Sequence, residues 1–161
     1  MTELPVEIVR SARRKSTLQA TIIAGTIRVR VPAGLPPAEE RRMVDELVAK
    51  VRKKARAGAV DLWARATALA RRFDLPEPEA ITWSSRQNTR WGSCTSTDGT
   101  IRISDRLASV PPFVLDYVIV HELAHLVVNG HGREFDALVA RYELAERARG
   151  YLMALNQSGP D

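Results

Sequence analysis

The chain has 161 residues, 45% hydrophobic and 27% charged, with a formal net charge of +5; these are the proportions of a globular protein, one domain with at most a small appendage and enough chain for a sizeable core. No run of about 18 uncharged apolar residues occurs, so no membrane span and no membrane partner are expected. The start, Met1-Thr2-Glu3-Leu4-Pro5, lacks the basic-then-apolar pattern of a secretory leader, and Cys94, the single cysteine, excludes an internal disulfide, so a cytoplasmic setting is expected.

Val6-Glu7-Ile8-Val9-Arg10 alternates and reads as a strand, followed by the basic connector Ser11–Ser16. Residues 18–23 and 26–31 flank Ala24-Gly25, which predicts a hairpin with a two-residue turn. Pro32, Pro36 and Pro37 end the sheet and open a helix with Glu39 and Glu40 in its first turn and Met43, Leu47, Val48 and Val51 on one stripe; Gly58 breaks it. A second helix places Leu62, Trp63, Ala66, Leu69, Ala70 and Phe73 at core spacing, and Pro76 and Pro78 terminate it. Ala80–Ser84 and Thr100–Ser104 read as the strands of a second hairpin, with Thr97-Asp98-Gly99 as a turn. A helix apolar nearly all round starts near Pro111-Pro112, which predicts burial. Two further helical runs follow, packed through Phe135, Leu138 and Val139, then through Leu144, Tyr151, Leu152 and Leu155; the tail from Gln157 to Asp161 is expected to fray. The organisation expected is a basic hairpin-plus-helix segment over residues 1–57 and a core over 58–157, together one compact domain 1–157.

Charge is unevenly spread. Residues 1–57 carry thirteen Lys/Arg against six Asp/Glu, net +7; residues 58–161 carry eleven against thirteen, net −2. The first segment is a candidate docking surface for nucleic acid or a nucleotide, although few aromatics are interleaved for base stacking and most such runs are solvated helix faces.

The histidines carry the chemistry. All three lie within eleven residues, in His121-Glu122-Leu123-Ala124-His125 and Asn129-Gly130-His131. On a helix, residues four apart share a face with Cβ atoms about 5–6 Å apart, so the imidazoles of His121 and His125 can converge on one ion at about 2.0–2.1 Å. Glu122 is one step round, bordering the ion, which suits a general base acting on an activated water. His131 can join only if the helix ends and the chain swings back, and Asn129-Gly130 can supply the left-handed conformation for that. Three protein ligands and an open position predict a catalytic site for one Zn2+. A downstream glutamate, Glu143 or Glu146, would be the alternative third ligand, but it leaves His131 unexplained. A sheet placed before this helix can pair an extended peptide along an edge strand; which strand is the edge does not follow from the sequence.

The residues also resemble a known family. Arg90-Trp91-Gly92-Ser93-Cys94, Gly99-Thr100-Ile101-Arg102-Ile103, Leu107, Pro111, Tyr117 through His125, and Asn129-Gly130-His131 with Phe135 look like the YgjP-like metallopeptidases, relatives of SprT and WLM-type zincins. The N-terminal Arg10–Arg14 and Val31–Gly34 segments fit as well. The resemblance implies an α+β, minimal zincin-like fold: a small antiparallel sheet packed on helices, an active-site helix bearing HExxH, and an N-terminal β-hairpin/helix subdomain. It implies zinc ligands His121, His125 and His131 and catalytic base Glu122. Two residues depart from the family pattern: Gly130 stands between Asn129 and the third histidine, and Asp136 follows Phe135 where the family tends to have Trp. A metzincin would want glycine at Val128. Arg90, Trp91 and Cys94 are candidate cleft residues, Arg90 for oxyanion stabilisation and Cys94 as an extra thiolate ligand or a small buried thiol; Asp136 is a candidate acceptor orienting a histidine. Tyr117, one turn before His121, faces the site or the core.

The expected activity is zinc-dependent peptide-bond hydrolysis on a peptide or protein substrate, by a monomer. Two alternatives keep the metal: hydrolysis of a nucleotide phosphoanhydride, and, through the SprT-like resemblance, proteolysis of protein bound to DNA.

Overall fold

The hairpin turn has both central residues in the left-handed region, Ala24 at φ 48° and Gly25 at φ 76°, the geometry that lets two right-twisted strands meet across a two-residue loop. It joins β2 (Gln19–Ile23) to β3 (Thr26–Pro32) in this computed structural model, which describes residues 3–157; the tail expected to fray after Gln157 lies outside the described residues. Chain contacts divide it into two compact units, Met1–Arg56 and Ala57–Asp161.

In the first unit, β3 is central. β2 runs antiparallel to it and β1 (Val6–Ser11) parallel, with Ile8 opposite Val29. Alternation sends Ile27, Val29 and Val31 to one face, where they are fully buried with Val44 and Val48 of helix α1 (Pro37–Gly58). Several of the unit's cations are ion-paired: Arg10 with Glu40, Arg28 with Glu7, Arg42 with Glu46, and Arg52 and Arg56 with Glu3.

The second unit opens with α2 (Leu62–Arg72), capped by the Asp61 carboxylate, which accepts from the Ala64 N–H at 2.9 Å. Leu62, Ala66, Leu69, Ala70 and Phe73 are buried as expected, but Trp63 is not; it is 47% exposed. At about 100° per residue it lies at the margin of the stripe, where a small side chain such as Ala70 is covered and a bulky indole is not.

The second sheet corrects the expected hairpin. β4 (Ala80–Ser84) does not turn back onto β6 (Thr100–Ser104); it pairs with it in parallel. The hairpin partner of β6 is β5 (Gly92–Thr95), formed by the segment the sequence reading left between strands. The turn explains this. Gly99 has φ +71°, and the Asp98 carboxylate accepts from the Thr100 N–H at 3.0 Å and its hydroxyl at 2.6 Å. So tight a turn pairs β6 with the residues immediately before it, and β4, a long connection away, reaches β6 as a parallel neighbour. The sheet is therefore mixed, in the order β4-β6-β5.

A short 3-10 turn (Asp105–Ser109) leads to α3 (Pro112–Ala124), then α4 (Arg133–Val139) and α5 (Ala145–Gln157). Helix α3 is the axis of this unit: Val114, Val118, Ile119, Val120 and Leu123 are buried in one core with Ile101 and Ile103 of β6, Ala66 and Ala70 of α2, Phe135 of α4 and Ala148 and Leu152 of α5. Among the described residues no helix is long and apolar enough to cross a membrane.

Candidate metal centre

Helix α3 delivers His121 and Glu122 in its last turn. His125 is its C-cap and still has helical dihedrals (φ −69°, ψ −15°), so the i,i+4 relation to His121 survives. The helix ends there, sooner than Asn129-Gly130. A tight turn follows, with N–H groups of residues 125–128 bonded back to carbonyls of Glu122, Leu123 and Ala124. Gly130 then takes φ +83°, the left-handed residue the sequence led us to expect, and the chain returns.

Its effect is to bring His131 over the other two rings. His131 Nε2 lies 3.2 Å from His125 Nε2 and 3.3 Å from His121 Nε2, and the three ligand atoms all fall within 4.8 Å of one another. Nitrogens about 2.0–2.1 Å from a tetrahedral centre are separated by about 3.3–3.4 Å, and the two spacings to His131 are close to that edge length. His125 Nδ1 donates to the Val128 carbonyl at 3.2 Å, leaving its Nε2 with a free lone pair. Lone pairs facing one another repel, and a cation among them relieves that; the donor set fits a divalent metal. Burial, with lesser effects from the neighbouring imidazoles and Arg149, pushes the His121 pKa down to about 4. Burial also lowers that of His125. Burial thus favours the neutral imidazole of both, the form that can bind a metal.

Phe135, read from the sequence as a core residue and as part of the family resemblance, forms a common back wall. It stacks on His125 (centroids 4.4 Å, 24°) and meets His121 and His131 edge-on, each at 4.8 Å. Glu122 is 5% exposed, and burial raises its carboxyl pKa to about 7 against the opposing pull of Arg90. It fits because Gly92 of β5 has no side chain: a Cβ there would stand 2.7 Å from Glu122 Oε1. Gly92 is the first residue of β5, and a glycine in a strand lets another group approach the backbone closely.

These groups open on a cavity of about 690 Å3 lined by Arg90 through Cys94 on the strand side, by Tyr117 and Val118 of α3, by Asn129 and Gly130, and by Arg149, Leu152, Met153 and Asn156 of α5. Arg90, Trp91 and Cys94 line this cavity. The Cys94 thiol is pushed up to about 11 by burial, then by Glu122 and Asp98, and so is protonated at neutral pH. Tyr117 is both buried and at the cavity, its hydroxyl accepting from Arg149 Nε at 3.3 Å; no sequence pattern tied these two together. Asp136 is exposed, with its charge acting on Arg149, while the acceptor that orients His125 is the Val128 carbonyl. Glu143 pairs with Arg72 and Glu146 with Arg149, and neither joins the histidine cluster.

Two crystal structures share this fold. The metallopeptidase zymogen abylysin of Pyrococcus abyssi aligns at 18% identity over 58% of this chain and 93% of its own, with a TM-score of 0.52. The metallopeptidase zymogen jannalysin of Methanocaldococcus jannaschii aligns at 17% identity over 59% and 96%, with a TM-score of 0.51. No curated protein matches the chain. The family model "YgjP-like, metallopeptidase domain" matches residues 52–149, which include the mixed sheet, all three histidines and Glu122. The chain belongs to the YgjP-like metallopeptidase family.

Proposed function

We propose that the domain hydrolyses peptide bonds with one zinc ion held by His121, His125 and His131 and with Glu122 as general base. The observation that carries this is the convergence of three imidazole nitrogens, at 3.2 and 3.3 Å, beside a buried carboxyl. Bound there, zinc would supply Lewis acidity, lowering the pKa of water and polarising a carbonyl. The chain's own residues supply the rest. Glu122 takes the proton of the attacking water and returns it to the leaving amine. β5 is an edge of its sheet and its residues line the cavity, so its unpaired backbone groups can align an extended substrate across the carboxylate. Trp91 is fixed by the Arg106 guanidinium, 4.1 Å above its ring.

Metal analysis of purified protein should find one zinc per chain, and His131→Ala should lose it. Glu122→Gln should keep the zinc and lose roughly 100-fold to 10,000-fold in peptide hydrolysis. Retained hydrolysis in zinc-loaded Glu122→Gln removes the base assignment. A substrate panel including nucleoside triphosphates separates peptidase from phosphoanhydride hydrolase, and salt-dependent DNA binding tests the nucleic-acid role.

A further inference from the structure

The charges around the cavity are uneven. Among its lining residues Glu122 is the one acid, and it is buried, whereas Arg90 and Arg149 bring two guanidinium groups. The two arginines differ. Arg149 is engaged already, its Nε on the Tyr117 hydroxyl and its Nη1 on Glu146. Arg90 is held only at its backbone: its carbonyl accepts from Arg106 Nη2 at 2.7 Å, and Arg106 also bonds the Gln87 carbonyl at 3.0 Å and the Ser104 hydroxyl at 3.1 Å. Its side chain is exposed, and among the described residues no acceptor is bonded to its guanidinium. A fixed backbone thus presents at the rim of the cavity a guanidinium with no hydrogen-bonded acceptor among the described residues, its charge acting on Glu122.

Its position relative to a substrate follows from the strand. Arg90 precedes the edge strand β5 by two residues, and Gly92, the first residue of β5, abuts Glu122. An extended peptide adding to β5 in the commoner antiparallel sense has its residues after the scissile bond running back towards Trp91 and Arg90. At about 3.3 Å per residue, Arg90 falls one or two residues beyond the cleaved bond. We propose that Arg90 is a carboxylate receptor on the leaving-group side, so that the favoured substrate carries a carboxylate one or two residues after the cleaved bond. A guanidinium meets a carboxylate with two parallel N–H···O bonds, which distinguishes it from the isosteric amide. The carboxylate is either an Asp or Glu side chain or the peptide's own C-terminus. The inference rests on the peptidase reading above.

The test uses zinc-loaded full-length protein and peptides of one sequence carrying Glu, Gln or Lys at the two positions after the cleaved bond, each with a free or an amidated C-terminus. Cleavage is read by kcat/KM in the wild type, and binding by fluorescence anisotropy of the same peptides on zinc-loaded Glu122→Gln. The expected result is at least a tenfold preference for the carboxylate in both readouts. Arg90→Gln should reduce that ratio to less than twofold and Arg90→Glu should turn it towards Lys, while Arg149→Gln and Arg86→Gln keep it. Preference confined to the Glu peptides identifies a side-chain receptor, and preference lost on amidation identifies a C-terminal one. Equal binding of Glu and Gln peptides and of free and amidated ends, a preference placed before the cleaved bond, or a preference surviving Arg90→Gln overturns the proposal. Carboxylate-selective binding through Arg90 without any cleavage by the wild type would instead overturn the hydrolytic reading and leave the receptor standing.

Discussion

The described residues form two three-stranded sheets of the same connectivity. In each, a central last strand is flanked by the first in parallel and by its hairpin partner in antiparallel: β1-β3-β2 and β4-β6-β5. In each, the central strand contributes fully buried apolar residues, Ile27, Val29 and Val31 in one, Ile101 and Ile103 in the other. What separates them is the hairpin edge. β2 is exposed except at Ala20, with Ile22 and Ile23 both 44% exposed, whereas β5 is half-buried and abuts α3. Strand order alone makes no site. The site comes from a helix laid against an edge strand closely enough to press a carboxylate on it.

That close approach hangs on Gly92, and breaking it should have the largest effect. Gly92→Ala puts a methyl 2.7 Å from Glu122 Oε1, closer than side chains tolerate, so the carboxyl must move. Displacement of a reacting group by about 1 Å costs on the order of 100-fold. We expect kcat to fall by at least about that much, with zinc content unchanged because no ligand is touched. The β2 hairpin supplies the contrast: Gly25 has nothing within 4 Å of a Cβ position, so Gly25→Ala has only its positive φ to strain and leaves kcat untouched.

The two edges should also differ in thiol chemistry. Cys94 on β5 has its pKa pushed up to about 11 by burial, then by Glu122 and Asp98. At pH 8 its thiolate fraction is then roughly 100-fold below that of a thiol near 9, and the thiolate is the species that reacts. A cysteine introduced at the exposed Thr21 of β2, in a Cys94→Ser background, should therefore be alkylated by iodoacetamide about 100-fold faster than Cys94 in the metal-free wild type. The sign is fixed by the cause: burial and nearby carboxylates disfavour the anion, so the Cys94 rate should still be climbing with pH where the Thr21→Cys rate has levelled. Equal rates would mean that β5 is as open as β2.

The difference between the sheets was only partly legible in the sequence. Local signals held where one residue type settles the geometry: Ala24-Gly25 for the turn, Pro112 for the start of α3, the apolar run Phe113–Val120 for a buried helix, Gly130 for the return of His131. Pairing was not local. Nothing in Ala80–Ser84 distinguishes a parallel from an antiparallel partner, and β5 is too short and too poor in β-branched residues to announce itself. Trp63 misled because periodicity gives a direction and not a depth. At the site, the three histidines and Glu122 lie within eleven residues, so their clustering could be read in the sequence. Arg149 with Tyr117, and the contact of Gly92 with Glu122, join distant parts of the chain and became visible only in three dimensions.

The back wall should matter least, and it sharpens the comparison most finely. An edge strand and a carboxylate still need the three imidazoles held together, and three imidazoles on a helix end and a loop have rotamer freedom to lose. Phe135 removes it by touching all three rings, flat against His125 and edge-on to His121 and His131. Phe135→Leu keeps an apolar side chain at this fully buried position but gives up the flat face, so the rings regain freedom while the protein still folds. Groups that orient metal ligands without binding the metal are worth about 10–100-fold in affinity. Because leucine still fills most of the space, we expect the low end, about tenfold weaker zinc binding by chelator competition, with kcat at saturating zinc within severalfold of the wild type. Unchanged affinity would mean that the histidine backbone alone, set by the turn after α3 and by Gly130, holds the nitrogens 3.2 and 3.3 Å apart, and Phe135 would then be packing and nothing more.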